Sequence, residues 1–100
     1  MLKKDLLELC LLYLMSQEDQ YGYELLRRLH DAFPDTQESA VYAILRQLCR
    51  DGYTERYQGE ISGGPARKYY RLTESGRDRL AALLELWRNI QKALSAIGIR

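Results

Sequence analysis

Apolar positions along this chain recur with two different periods, and the switch between them divides it into elements. Over residues 2–15 they fall at Leu6, Leu7, Leu9, Cys10, Leu11, Leu12, Tyr13 and Leu14. That is helical spacing spread around most of the circumference, where a surface helix needs only one stripe. Such a helix either sits at the centre of the core or turns its second face to another subunit. The second reading is favoured, because a three-helix domain of this size has no deep centre. Residues 16–20 read as a polar loop, with Asp19 a candidate helix cap. Residues 21–33 read as a second helix facing inward through Leu25, Leu26, Leu29 and Phe33. Pro34 ends it, Asp35 and Thr36 form a turn, and either Thr36 or Gln37 caps the next helix.

That third helix, residues 37–52, has two unlike faces. Val41, Ile44, Leu45 and Leu48 make the apolar stripe, while Ser39, Tyr42, Ala43, Arg46, Gln47 and Arg50 fall largely opposite. The outer face holds hydroxyls, an amide and two guanidinium groups but no carboxylate. Gly52 is the residue expected just past a helix C-terminus. A helix anchored by one face and presenting such a surface by the other points to DNA as its partner.

After Gly52 the period becomes two. Tyr53, Glu55 and Tyr57 alternate with Thr54 and Arg56, as in a strand. The glycine-containing connection 59–65 leads to a second strand, 66–72, with Tyr70 and Leu72 on one face and Tyr69 and Arg71 on the other. Arg67 and Lys68 stand beside the tip of this hairpin. Tyr69 and Tyr70 read as hairpin packing, since strand aromatics fill sheet faces. Thr73 caps the last helix, with Glu74 in its first turn. Along that helix Leu80, Leu83, Trp87, Ile90, Leu94 and Ile97 are spaced as an a/d heptad seam. The seam pairs with its copy in a dimer, folds back on the first helix of the same chain, or does both.

The predicted order is helix, helix, reading helix, hairpin, long helix. It specifies a mainly α (α+β) winged helix-turn-helix with a two-stranded β wing and a C-terminal dimerisation helix. Residues 1–72 are expected to form the DNA-binding winged helix and 73–100 the dimerisation helix, as one structural unit. The dimer interface is expected to use Leu6 and Cys10 of the first helix with Leu80, Leu83, Trp87, Ile90, Leu94 and Ile97.

Composition adds a smaller correction. The 100 residues carry a formal charge of only +1, so gross charge does not announce a nucleic-acid binder. Residues 1–35 hold four Lys/Arg against seven Asp/Glu, and residues 36–100 hold eleven against seven. The basic bias lies with the candidate reading helix. Cys10 and Cys49 sit among leucines and read as small hydrophobes. Nothing resembles a signal peptide or a membrane span, which points to a cytoplasmic protein with no membrane partner. His30, the single histidine, has no second ligand at metal spacing. No nucleophile elbow or phosphate-cradling loop is present, so no enzyme, cofactor or metal is expected.

Three segments now carry a resemblance. YGYEL at 21–25, SAVYAILRQLCRDGY at 39–53 and GGPARKYYRLTESG at 63–76 resemble, in order and spacing, the PadR family of bacterial transcriptional regulators. The short ending is similar to the family's compact subgroup. Pro65 and Ala66 depart from wings that carry more polar or basic residues there. The resemblance implies a homodimer that binds a near-palindromic operator and usually represses, with two reading helices in successive major grooves about 34 Å apart.

Chemistry assigns roles within that frame. Arg46 suits a bidentate pair with guanine and Gln47 with adenine. Ser39 and Tyr42 suit phosphate oxygens, which set register, and the resemblance supports a DNA-facing tyrosine at position 42. Ala43 lies on the same face. Arg67 and Lys68 would meet the backbone or the minor groove. Two assignments stay open: Tyr42 lies on the core edge or on DNA, and Arg50 pairs with a carboxylate or complements the helix C-terminus instead of meeting DNA. Trp87 is either an interface anchor or one of two indoles that sandwich a planar aromatic or cationic effector across the two-fold axis. Family members that respond to aromatic compounds bind them at that interface. Two rivals remain: a winged helix that binds proteins, as an antirepressor or adaptor, and a ligand-binding dimer with weak DNA affinity.

Overall fold

The computed structural model describes residues 2–59 and 67–100. Four helices and three short strands follow in the order α1 (Lys3–Gln17), β1 (Gln20–Tyr21), α2 (Gly22–Ala32), α3 (Glu38–Arg50), β2 (Thr54–Gly59), β3 (Arg67–Leu72) and α4 (Glu74–Ile97). Most of the connection expected at 59–65, and the strand start expected at Ala66, lie outside the described residues.

α1 is the centre of the molecule. At its start the Leu2 N–H donates to Asp5 Oδ2 at 3.0 Å. Leu7, Leu9, Leu11, Leu12 and Met15 are buried, and the helix touches α2, α3, β3 and α4. α1 is therefore central within the chain, and α4 folds back over part of the second face that was expected to meet another subunit. Each fully buried leucine here contributes about 2–3 kcal/mol of transfer free energy. What α1 leaves uncovered is Tyr13, with Leu6, Cys10 and Leu14 half-buried.

The sheet has the order β1-β3-β2, antiparallel throughout, so the expected two-stranded wing gains a third strand. Gln20 pairs with Tyr70 and Tyr21 with Tyr69. Gln20, expected in a polar loop, is instead buried. Its side chain donates Nε2–H bonds to the Leu14 (3.0 Å) and Glu18 (3.2 Å) carbonyls, closing the C-terminus of α1. Asp19 caps no helix: α2 starts from Tyr21 without a side-chain cap, and Asp19 accepts a hydrogen bond from the Tyr57 hydroxyl. Thr36 caps nothing either. Gln37 holds the N-cap position of α3 without a side-chain bond.

Sheet alternation follows the register. Thr54, Tyr70 and Leu72 face the helices and are buried. Tyr69 stacks outside between Tyr21 and Tyr57, with ring centroids 5.9 and 5.8 Å away. The hairpin ties the end of α3 to the start of α4. Gly52 takes φ +80°, a conformation that costs a residue with a Cβ. The Thr73 hydroxyl accepts from the Gly76 N–H at 3.0 Å and donates to the Gly52 carbonyl at 2.7 Å. At Gly76 a Cβ would stand 2.0 Å from the Tyr53 carbonyl oxygen, so only glycine lets α4 start there.

α4 has 24 residues and a length of about 36 Å. Its first half packs on α1, where Leu80 and Leu83 are 7% and 3% exposed. Arg79 joins the same contact, its Nε 3.0 Å from Glu8 Oε1. The second half runs clear, with Leu94 38% and Ile97 78% exposed. The radius of gyration is 15.0 Å, against about 13 Å for a compact chain of this length. Among the described residues no helix is long and apolar enough to cross a membrane, and no cluster of His, Cys, Asp and Glu could hold a metal.

Candidate nucleic-acid interface

α3 buries Val41, Ile44, Leu45 and Leu48. At 100° per residue the direction opposite that stripe is occupied by Ser39, Ala43, Arg46 and Arg50, all exposed. These four form the crest of the helix. Tyr42 and Gln47, expected on the same face, lie on its two flanks. Tyr42 lies on the side of the sheet tyrosines Tyr21 and Tyr70. Burial, with the Glu38 carboxylate behind it, pushes its phenol up, so the hydroxyl remains a neutral donor. Gln47 lies toward α1, and its Nε2 donates to Asp51 Oδ1 at 2.9 Å. That bond uses one N–H of the amide and leaves the second N–H and Oε1 free.

Each flank of α3 is a groove. On one side about 660 Å³ lies between α3 and the N-terminus of α1, floored by Leu7, Ala40, Ala43 and Ile44 and rimmed by Lys3, Lys4 and Arg50. Asp35 is the carboxylate on that rim, and it is paired with Lys3 at 3.0 Å. The Lys3 ammonium holds the Asp35 carboxyl below its ordinary range. On the other side about 610 Å³ lies between α3 and β2, bordered by Arg46, Arg50 and Arg56. Glu55 borders it too, and is paired with Arg71 at 2.7 Å. Sequence reasoning missed Lys3, Lys4 and Arg56 as part of this surface. The period-2 pattern put Arg56 on the face of Thr54, but not that face against α3.

On the wing, Arg67 and Lys68 are exposed. The Arg67 guanidinium lies 4.9 Å from the centre of the Tyr21 ring, on the outer side of the sheet. Lys68 pairs with Gln58, which places it on the side of Arg56 and Tyr70.

The expected interface and effector residues lie at the other end. Trp87 is half-buried beside a groove of about 400 Å³ bordered by Cys10, Tyr13, Leu14, Arg28 and Leu84. Partial burial pushes the Cys10 thiol up, in keeping with its reading as a small hydrophobe. Leu80 and Leu83 are core within the chain. Of the expected seam, Trp87, Ile90, Leu94 and Ile97 keep surface to offer, as do Leu6 and Cys10 of α1.

A family model described as the transcriptional regulator PadR-like family matches residues 11–82. An uncharacterized protein of Lysinibacillus sphaericus is 30% identical over 88% of this chain and 84% of its own length. Among solved structures, a Streptococcus mutans protein superposes with a TM-score of 0.87 at 33% identity, covering 95% of this chain and 88% of that one. A PadR-like transcriptional regulator from Bacillus cereus gives a TM-score of 0.82 at 33% identity, over 91% and 89% of the two chains.

Proposed function

Because this chain belongs to the PadR-like family of transcriptional regulators, it is a DNA-binding transcription regulator and not an enzyme, and we propose that it acts as a homodimeric repressor. The observation that carries the reading is the crest of α3, where Ser39, Ala43, Arg46 and Arg50 are exposed together with no carboxylate among them. A protein-docking helix would tolerate carboxylates and offer apolar surface there. Arg46 reads guanine, Ser39 and Tyr42 hold phosphates, and Arg67 and Lys68 steady the wing on the backbone. Gln47 reads adenine with the N–H and Oε1 that its bond to Asp51 leaves free.

The uncovered half of the α4 seam supports pairing with a second copy. Two reading helices related by a two-fold axis then meet a near-palindromic operator. In this scheme residues 1–72 are the DNA-binding part and 73–100 the dimerisation helix. Their boundary is functional and does not separate two folding units, since Leu80 and Leu83 belong to the core of the first. Trp87, at the edge of the uncovered seam, meets a planar aromatic or cationic effector. Binding there releases the operator if the two spacings of the reading helices bind effector differently.

The test is fluorescence anisotropy of duplex DNA from the gene's own upstream region against a scrambled duplex, at two salt concentrations. Tighter binding upstream that weakens steeply with salt supports the reading. Equal affinity for both duplexes overturns specific regulation. Arg46→Ala should cost about 1–3 kcal/mol and relax specificity at one base position. Adding aromatic and cationic compounds to the bound complex, while following Trp87 emission, tests release.

A further inference from the structure

A helix lying in the major groove has a sugar-phosphate backbone on each side of it, in a channel about 12 Å wide. α3 meets that requirement with the two grooves along its flanks, and the groove walls come from elements far apart in sequence. One wall is the N-terminal turn of α1 and the other is the middle of β2. Both grooves are rimmed by cations, and the carboxylates at their rims are neutralised: Asp35 by Lys3 and Glu55 by Arg71. The α1 groove has an apolar floor of Leu7, Ala40, Ala43 and Ile44, which suits the face of a deoxyribose better than a base edge. Lys4 and Arg50 both line it; Lys4 also borders a groove with Asp5, Glu8 and Asp51, yet among the described residues neither cation has a carboxylate within ion-pair distance.

We infer that Lys4 of α1 and Arg56 of β2 are phosphate clamps on opposite strands of the duplex, one in each groove beside α3. The inference rests on α3 being the helix that enters the major groove. It adds to the crest residues a pair of contacts that hold the helix centred in the groove and read no sequence. Arg50, which borders both grooves, then lies between the two strands at the C-terminal end of the helix.

The test uses the full chain and the variants Lys4→Gln and Arg56→Gln, each at an exposed position. Binding to an upstream duplex and to a random duplex is titrated against salt. Each variant should lower the slope of log affinity on log salt by about one, equally on both duplexes. Neutral methylphosphonate linkages, introduced one at a time, then assign the strand. In wild type they should weaken binding on both strands flanking α3. Lys4→Gln should abolish that sensitivity on one strand, and Arg56→Gln on the other. Unchanged slopes overturn the inference, as does a loss confined to the upstream duplex or sensitivity on one strand only in wild type. If wild type binds no duplex at low salt, both the inference and the placement of α3 fall. If wild type binds and the variants match it, only the inference falls.

Discussion

The two halves of α4 carry one seam and meet two fates. Leu80 and Leu83 are closed over by α1 of the same chain, at 7% and 3% exposure, while Leu94 and Ile97 stand 38% and 78% exposed. Heptad spacing is the same in both. It states that an apolar face needs covering and is silent about what covers it. Geometry decides: α1 has 15 residues and runs out, so a helix of 24 outruns its neighbour. The inner half therefore carries the fold, and the outer half is free for the association proposed above.

The sharpest way to break this contrast is Leu94→Glu. A carboxylate in the outer seam should leave the helical far-UV signal intact and convert dimer to monomer in sedimentation. Affinity for a two-half-site operator should fall roughly 10²–10⁴-fold, because the second half-site no longer gains from the first. An unchanged mass would show that the outer half has another use.

Leu83→Ala is the mirror case and the next largest effect. The residue is core, so the change should cost about 2–4 kcal/mol, seen as a lower denaturant midpoint. The deficit should persist in the Leu94→Glu background, where association no longer adds stability by mass action. A deficit that vanishes there would move Leu83 to the partner side of the seam.

A smaller effect is expected at the ion pair of Arg79 with Glu8, which ties the inner half of α4 to α1. Arg79 keeps 35% of its side-chain surface and Glu8 only 11%. The hydrogen bond to Glu8 holds the Arg79 guanidinium above its ordinary pKa. Solvent screening of the arginine limits what the attraction itself is worth. Most of the cost of losing Arg79 comes from the buried Glu8 carboxylate left without a partner. Arg79→Ala should cost about 1–2 kcal/mol, and a double-mutant cycle with Glu8→Gln should recover part of it.

These contrasts also mark what is legible in the sequence. Helix order, the crest of α3 and the Thr73 cap are, since each depends on residues within a few positions. β1 is not. Its two residues have no period, and only pairing with Tyr69 and Tyr70 makes them a strand. Asp19 looks like a cap because caps and turns favour the same side chains, and here it bonds Tyr57, 38 positions away. The central place of α1 is hidden for the same reason as the fate of the seam: the leucines of α1 and α4 cover one another across most of the chain. Lys4 and Arg56 are invisible as a pair, because no local pattern sets the start of α1 beside α3.

Trp87 sits where the covered half of α4 gives way to the uncovered half, so it reports the comparison directly at the smallest energetic scale. It is half-buried against Leu84 and the α1 groove, and a partner would close over the rest. Diluting wild type through its dimer dissociation range should shift Trp87 emission to the red as the indole gains water. In Leu94→Glu the emission should already be red and independent of concentration. In Leu83→Ala it should still respond to dilution, because that change loosens the inner half and leaves the outer seam in place. A wild-type spectrum that ignores dilution while sedimentation records dissociation would put Trp87 on the inner side of the boundary. The groove beside Trp87 would then be a property of one chain and not of a two-fold axis.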